Sequence, residues 1–159
     1  MTDTVFLLGD PLLREMDCTR ATTERARTIV WASDLRECDG RRAATTAFKD
    51  AAHAALDACR RRPGIRHLLL AYRADPAVTS MLRRRASGLA VLLHAELEQR
   101  AGRDVDVIVL DVSEIDDQAL LLKRLEDLSP KPAGLAGVAL GWPDIRDQSI
   151  RRAASNEYI

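Results

Sequence analysis

Short, uninterrupted runs of apolar residues, separated by longer helical segments, constrain the fold of this chain more than any other feature of its sequence. The clearest run is residues 65–72, Ile-Arg-His-Leu-Leu-Leu-Ala-Tyr, and residues 105–110, Val-Asp-Val-Ile-Val-Leu, form a second. Strands with such continuous apolar sequences are typical of sheets that are covered on both faces. The pattern therefore predicts a buried, mostly parallel sheet.

Three segments between these runs have the three-to-four-residue apolar spacing of amphipathic helices. They are residues 41–59, 77–100 and 116–128. The first has a stripe made mostly of alanine, which allows a helix to lie close against strands. In the second, Arg83-Arg84-Arg85 and Ser87-Gly88 interrupt the pattern and are compatible with a break into two helices. Residues 144–158 are expected to form a polar terminal helix.

Three further runs have strand character, residues 4–8, 27–32 and 134–140. Residues 11–26 are ambiguous between a short helix and an irregular segment. The alternation of strands and helices predicts an α/β fold, a three-layer sandwich with about five mostly parallel strands and right-handed crossovers. At 159 residues the chain fits a single domain, 1–159, with residues 144–159 as a terminal helix or tail.

Composition excludes several classes of partner and site. The 24 basic and 24 acidic residues balance, so no global field favours nucleic acid or an anionic membrane. The N-terminal apolar run is too short for a signal peptide or a membrane span. Three distant cysteines, Cys18, Cys38 and Cys59, argue against a disulfide framework and against zinc. We therefore expect a soluble, cytoplasmic protein that binds neither nucleic acid nor membrane.

Aspartates follow four of the predicted strands. Asp10, Asp34, Asp75 and Asp111 would all lie at the carboxyl edge of a parallel sheet, where ligands of such folds bind. Carboxylates that converge there can hold Mg²⁺, which makes Asp10, Asp34 and Asp111 candidate catalytic residues, with Asp10 and Asp111 as the metal ligands. The alternative is that these aspartates only cap the following helices.

Three other residues are candidates for ligand binding at the same edge. Arg73 is the best-placed cation for an anionic group, and Ser33 is the best-placed hydroxyl. Trp142, which follows the last strand, suits a pocket mouth or an oligomer contact. The sequence has no phosphate-binding loop, which disfavours nucleotide binding by that route. No histidine lies close to Ser33 along the chain, which disfavours a Ser-His mechanism.

These observations support two functional hypotheses. The first is a non-catalytic accessory domain, monomeric or homo-oligomeric, that binds a small molecule or a protein at the carboxyl edge or near Trp142. The alternative is a Mg²⁺-dependent enzyme that acts on a phosphate-containing or nucleotide substrate, with Arg73 holding the anion. The sequence identifies no cofactor for the first hypothesis.

Overall fold

A computed structural model describes residues 5–11 and 25–157 of the chain. Five parallel strands form one sheet, and their order in space is their order in the sequence. The strands are β1 (Val5–Gly9), β2 (Thr28–Asp34), β3 (His67–Arg73), β4 (Asp106–Asp111) and β5 (Gly137–Gly141). Because all five are parallel, their carboxyl ends meet at a single edge.

Five helices connect or follow these strands. They are α1 (Gly40–Arg60), α2 (Pro76–Ala101), α3 (Gln118–Leu128), α4 (Trp142–Arg146) and α5 (Ile150–Asn156). The predicted three-layer α/β sandwich is confirmed. Among the described residues, no helix has both the length and the apolar character needed to cross a membrane.

Successive strand residues point to opposite faces of the sheet and enter two separate cores. In β3, Leu68 and Leu70 belong to the core beneath α1 and α2, whereas Leu69 and Ala71 belong to the core beneath α3, α4 and α5. The strand is buried along nearly its whole length as a result. This two-sided burial explains why its sequence is apolar without alternation.

Small residues bring α2 close to β5. If Gly137 carried a Cβ atom, that atom would lie 2.5 Å from the carbonyl oxygen of Ala90 in α2. Ala86 and Ala90 are both buried on this side of the helix. The helix therefore packs closely against the start of β5.

Helices α2 and α3 lie on opposite faces, although both connect neighbouring strands that step in the same direction across the sheet. The β3–α2–β4 and β4–α3–β5 connections therefore have opposite hands. The prediction that every crossover is right-handed is wrong for one of them. Amphipathic spacing shows that a helix has an apolar face, but it does not show which face of the sheet that helix covers.

A buried polar network holds the α3–β5 connection against the amino edge. Asp106, fully buried, accepts hydrogen bonds through Oδ1 from the backbone N–H groups of Gly134 (2.8 Å) and Leu135 (2.7 Å). Its Oδ2 lies 3.0 Å from Nδ1 of His67, and Nε2 of that ring lies 2.9 Å from the carbonyl oxygen of Lys131. Burial alone would raise the pKa of Asp106, but these hydrogen bonds lower it below its ordinary value.

Two sequence expectations about the helices need correction. Helix α2 runs unbroken through Arg83–Gly88, so the interruption there is not a break. The C-terminal segment is two short helices rather than one polar helix, and Ile145, Ile150 and Ala154 are buried within it. Most of the ambiguous segment, residues 12–24, lies outside the described part of the chain.

Candidate functional site

The aspartates of the carboxyl edge divide into two groups. Asp10, after β1, accepts a hydrogen bond from the backbone N–H of Asp34 at 2.8 Å, so these two residues meet. Asp111 ends β4, and β2 and β3 separate it from β1. With strands about 4.8 Å apart, β1 and β4 are roughly 14 Å apart across the sheet. The structure therefore does not bring Asp10 and Asp111 together as a pair of metal ligands.

Asp34 is engaged by a neighbouring arginine. Arg36 donates from Nε to Oδ1 (2.9 Å) and from an Nη to Oδ2 (2.7 Å) of Asp34, a bidentate pair. Hydrogen bonding from Arg36, assisted by the nearby charge of Arg73, lowers the pKa of the Asp34 carboxyl. Arg73, the last residue of β3, thus lies at the predicted edge and next to Asp34 of β2. Ser33 is buried at the end of β2.

Asp111 has a different environment. Its side chain is only 3% exposed and accepts hydrogen bonds from Nε of Arg83 (2.8 Å) and from the backbone N–H of Ser113 (2.9 Å). Arg83 lies on α2 and is half exposed. A buried carboxylate requires hydrogen-bond donors or a charged partner, and α2 begins at this edge, so the second turn of the helix can supply a cation. Hydrogen bonding to Asp111 raises the pKa of Arg83 further.

A pocket of about 330 Å³ opens beside this ion pair, at the carboxyl ends of β3, β4 and β5. We refer to it as the carboxyl-edge pocket. Its lining comes from three strand ends, from α2 and from the C-terminal helices: Tyr72, Arg83, Ala86, Asp111, Glu114, Ala139, Leu140, Gly141, Pro143, Asp144 and Glu157. The volume is at the lower end of the range of small-molecule sites.

Tyr72 forms part of the wall of the pocket. Its ring packs edge-on against Phe48 of α1, with 5.0 Å between the centroids, and the residue is almost fully buried. Among the described residues, the hydroxyl has no hydrogen-bond partner. Burial, together with the charge of Asp111, raises the pKa of Tyr72 well above its ordinary value. The phenol therefore stays protonated and can donate or accept a hydrogen bond.

Carboxylates dominate the charge of the pocket. Four acidic side chains and one arginine line it, an excess of three formal negative charges. Asp111 is already paired, and Asp144 accepts a hydrogen bond from the backbone N–H of Gly141 at 2.7 Å. Glu114 and Glu157 are exposed, and neither forms an ion pair within the described residues. Their oxygens are available to a bound molecule.

The candidate magnesium site has no assembled ligand set in the described ranges. In residues 5–11 and 25–157, no three His, Cys, Asp or Glu side chains are arranged to hold a metal ion. Helix capping, the alternative explanation, also accounts for few of the aspartates that follow the strands. Asp75 occupies the N-cap position of α2 but makes no capping hydrogen bond with its side chain. Only Asp117, among the N-cap aspartates of α1, α2 and α3, caps in this way, through Leu120 N at 2.9 Å.

Trp142 does not line a pocket mouth. Its side chain is 1% exposed and lies in the core beneath α3, α4 and α5. The indole Nε1 donates a hydrogen bond to Oδ1 of Asp116 at 2.7 Å, which links the start of α4 to the loop before α3. The structure therefore places Trp142 in the core and not in the lining of the carboxyl-edge pocket.

Most residues that line the carboxyl-edge pocket were not predicted from the sequence. The Arg83-Arg84-Arg85 run reads as a solvated surface, and Tyr72 reads as core. One signal did point to Arg83. A buried aspartate at the end of an apolar strand needs a cation, and Arg83 lies two turns into the helix that starts at the same edge. Glu157, by contrast, reaches the pocket only through the packing of α5.

Comparison of this chain with protein-family models, with curated proteins and with solved structures found no match.

Proposed function

We propose that this chain is a binding domain whose carboxyl-edge pocket takes a small molecule with a positively charged amine and a nearby oxygen acceptor. The observation that carries the proposal is the ion pair between Arg83 and Asp111 in the lining of the pocket. Asp111 holds Arg83 by Nε, so both terminal nitrogens of the guanidinium are left without hydrogen bonds to the described residues. A carboxylate or hydroxyl group of the ligand can accept from them.

The charge of the lining supports the amine. The guanidinium is offset by its own partner Asp111, so the remaining carboxylates set the local potential. Glu114 and Glu157 are the exposed pair that an ammonium group would contact. The alanines and Pro143 provide the apolar part of the wall, which suits a short carbon chain between the two polar ends.

Binding rather than catalysis fits the state of the buried groups. Asp111 accepts two hydrogen bonds from the protein, and the raised pKa of Tyr72 keeps its phenol protonated. Both groups are suited to fix the orientation of a ligand. The magnesium-dependent enzyme has no comparable support, since its three aspartates lie at two separate places on the edge.

Thermal unfolding with a panel of amino acids and short amines tests the proposal, with the same molecules lacking the amine as controls. A ligand at 100 times its Kd adds about 2.7 kcal/mol to the free energy of unfolding. For a domain of this size, that raises Tm by roughly 5–10 °C. We expect amine-bearing probes to raise Tm and amine-free carboxylates to leave it unchanged.

Two variants locate the effect. Glu114→Gln and Arg83→Met should each reduce the Tm shift to less than half, whereas Arg84→Met, the next residue on the same helix, should not. Arg84 is exposed and does not line this pocket. A shift with sugar phosphates or Mg²⁺ but none with amines would refute the proposal and favour the enzymatic hypothesis.

A further inference from the structure

The surface between α1 and α2 has a groove of about 280 Å³ that is separate from the carboxyl-edge pocket. We refer to it as the α1–α2 groove. Phe48 of α1 and Leu89 and Leu92 of α2 form its apolar part. Leu92 is 59% exposed, and its neighbour Val91 is 55% exposed. Val91 and Leu92 are the two exposed large apolar residues in the described part of the chain, and both lie on α2.

The rim of the groove is basic. Lys49, Arg84 and Arg85 line it, and no acidic residue does. None of the three forms an ion pair with a described residue, although their chain is electrically balanced overall. Three unpaired cations beside an exposed leucine differ from an ordinary solvated face, on which charges of both signs alternate.

Gly88 adds an independent observation. It lies in the middle of α2, where glycine costs about 1 kcal/mol relative to alanine. A Cβ atom at this position would meet nothing within 4 Å, and the backbone φ is not in the left-handed region. Packing inside the chain therefore does not require glycine here. Its absent side chain leaves the backbone of α2 open at the floor of the groove, where another backbone can approach.

We propose that the α1–α2 groove binds an acidic amphipathic helix of a partner protein. Such a helix would place apolar side chains at i, i+3 and i+4 against Leu89 and Leu92, and its flanking carboxylates against the basic rim. Charge complementarity selects this occupant. In a symmetric contact with a second copy, the rim of Lys49, Arg84 and Arg85 would face the same three cations, which is unfavourable.

Fluorescence anisotropy with a labelled synthetic peptide tests the proposal on the full chain. The probe is an 18-residue peptide with leucine at helical spacing on one face and glutamate on the other. A scrambled peptide of the same composition and a peptide with lysine in place of glutamate are controls. We expect saturable binding of the first peptide only, with affinity that falls as salt rises.

Two matched pairs of variants locate the interaction. Leu92→Ser should weaken binding at least tenfold, whereas Val91→Ser, equally exposed but outside the groove lining, should change it less than twofold. Arg85→Glu should weaken binding at least tenfold, whereas Lys123→Glu changes the net charge equally on the opposite face and should have little effect. Each variant should retain the wild-type Tm, because all four side chains are exposed.

Three results would overturn this assignment. The first is failure of the acidic amphipathic peptide to bind the wild-type chain. The second is equal binding of the scrambled peptide or of a duplex DNA, which would make the contact one of charge alone. The third is concentration-dependent dimerisation in sedimentation that Leu92→Ser abolishes, which would make a second copy the occupant.

Discussion

Substitution of Asp106 tests how the amino edge of the sheet is held together. Its fully buried carboxylate satisfies three groups, the backbone N–H of Gly134, the backbone N–H of Leu135 and Nδ1 of His67. Asp106→Leu keeps a side chain branched at Cγ but removes the carboxylate that all three groups share. Each unsatisfied buried group costs about 1–3 kcal/mol, and relaxation of the connecting loop favours the lower end. We expect a loss of about 4 kcal/mol in the free energy of unfolding.

Asp106→Asn is the matched control, because the amide can reproduce every hydrogen bond. Its oxygen can accept from Gly134 and Leu135, and its NH₂ group can donate to Nδ1 of His67. The histidine ring then keeps a proton on Nε2, which faces the carbonyl oxygen of Lys131 and must donate to it. We expect this variant to lose less than about 1.5 kcal/mol.

Urea unfolding followed by circular dichroism at several pH values measures both effects. The pKa of Asp106 is lower in the folded chain than its ordinary value of 3.8. Its contribution to stability is therefore complete above about pH 4 and is lost as the pH falls through the folded-state pKa. Asp106→Asn should lack this part of the acid destabilisation. Equal stability of wild type and Asp106→Leu at pH 7, or equal losses for the two variants, would refute the reasoning.

Two pairs of substitutions give expected outcomes in the same assay. Gly137→Ala should destabilise the fold by about 1–3 kcal/mol, because its Cβ atom would lie 2.5 Å from the carbonyl oxygen of Ala90. Gly88→Ala, at an open position of α2, should stabilise the fold by up to about 1 kcal/mol. The opposite order of stabilities would contradict the close approach of α2 to β5. Thr28→Val and Ser129→Ala should each lower the free energy of unfolding by about 1–2 kcal/mol, since the two hydroxyl groups share a buried hydrogen bond of 2.7 Å. Strict additivity in a double-mutant cycle would argue against that hydrogen bond.

The sheet was predictable because its signal is local. The apolar runs of β3 and β4 reflect burial on both faces, and each lies within one or two residues of its predicted bounds. Helix α1 was equally clear, since its alanine stripe and Phe48 are buried as the spacing indicated. Local periodicity determines that an element exists and that part of it is buried.

The positions of α3 and Trp142 were not predictable in the same way. Whether α3 covers one face of the sheet or the other depends on contacts between distant segments, such as the hydrogen bond between the hydroxyl groups of Thr28 and Ser129, just beyond the C-terminus of α3. Trp142 turns inward because α4 begins at that residue and Asp116 is near enough to accept from its indole. Neither contact has a signature within its own segment.

Asp106 and Asp111 begin and end the same strand, and both are buried, but their partners give them different roles. Asp106 is surrounded by donors that belong to the protein, so its carboxylate completes a closed structural network. Asp111 shares its charge with an arginine that is half exposed, so part of that donor set faces an open pocket. A ligand bound in the pocket would compete with solvent at Arg83, whereas Asp106 is fully buried. We therefore propose the carboxyl edge as the binding edge because of the residues that pair with Asp111. The presence of an aspartate at the end of a strand does not by itself distinguish the two edges.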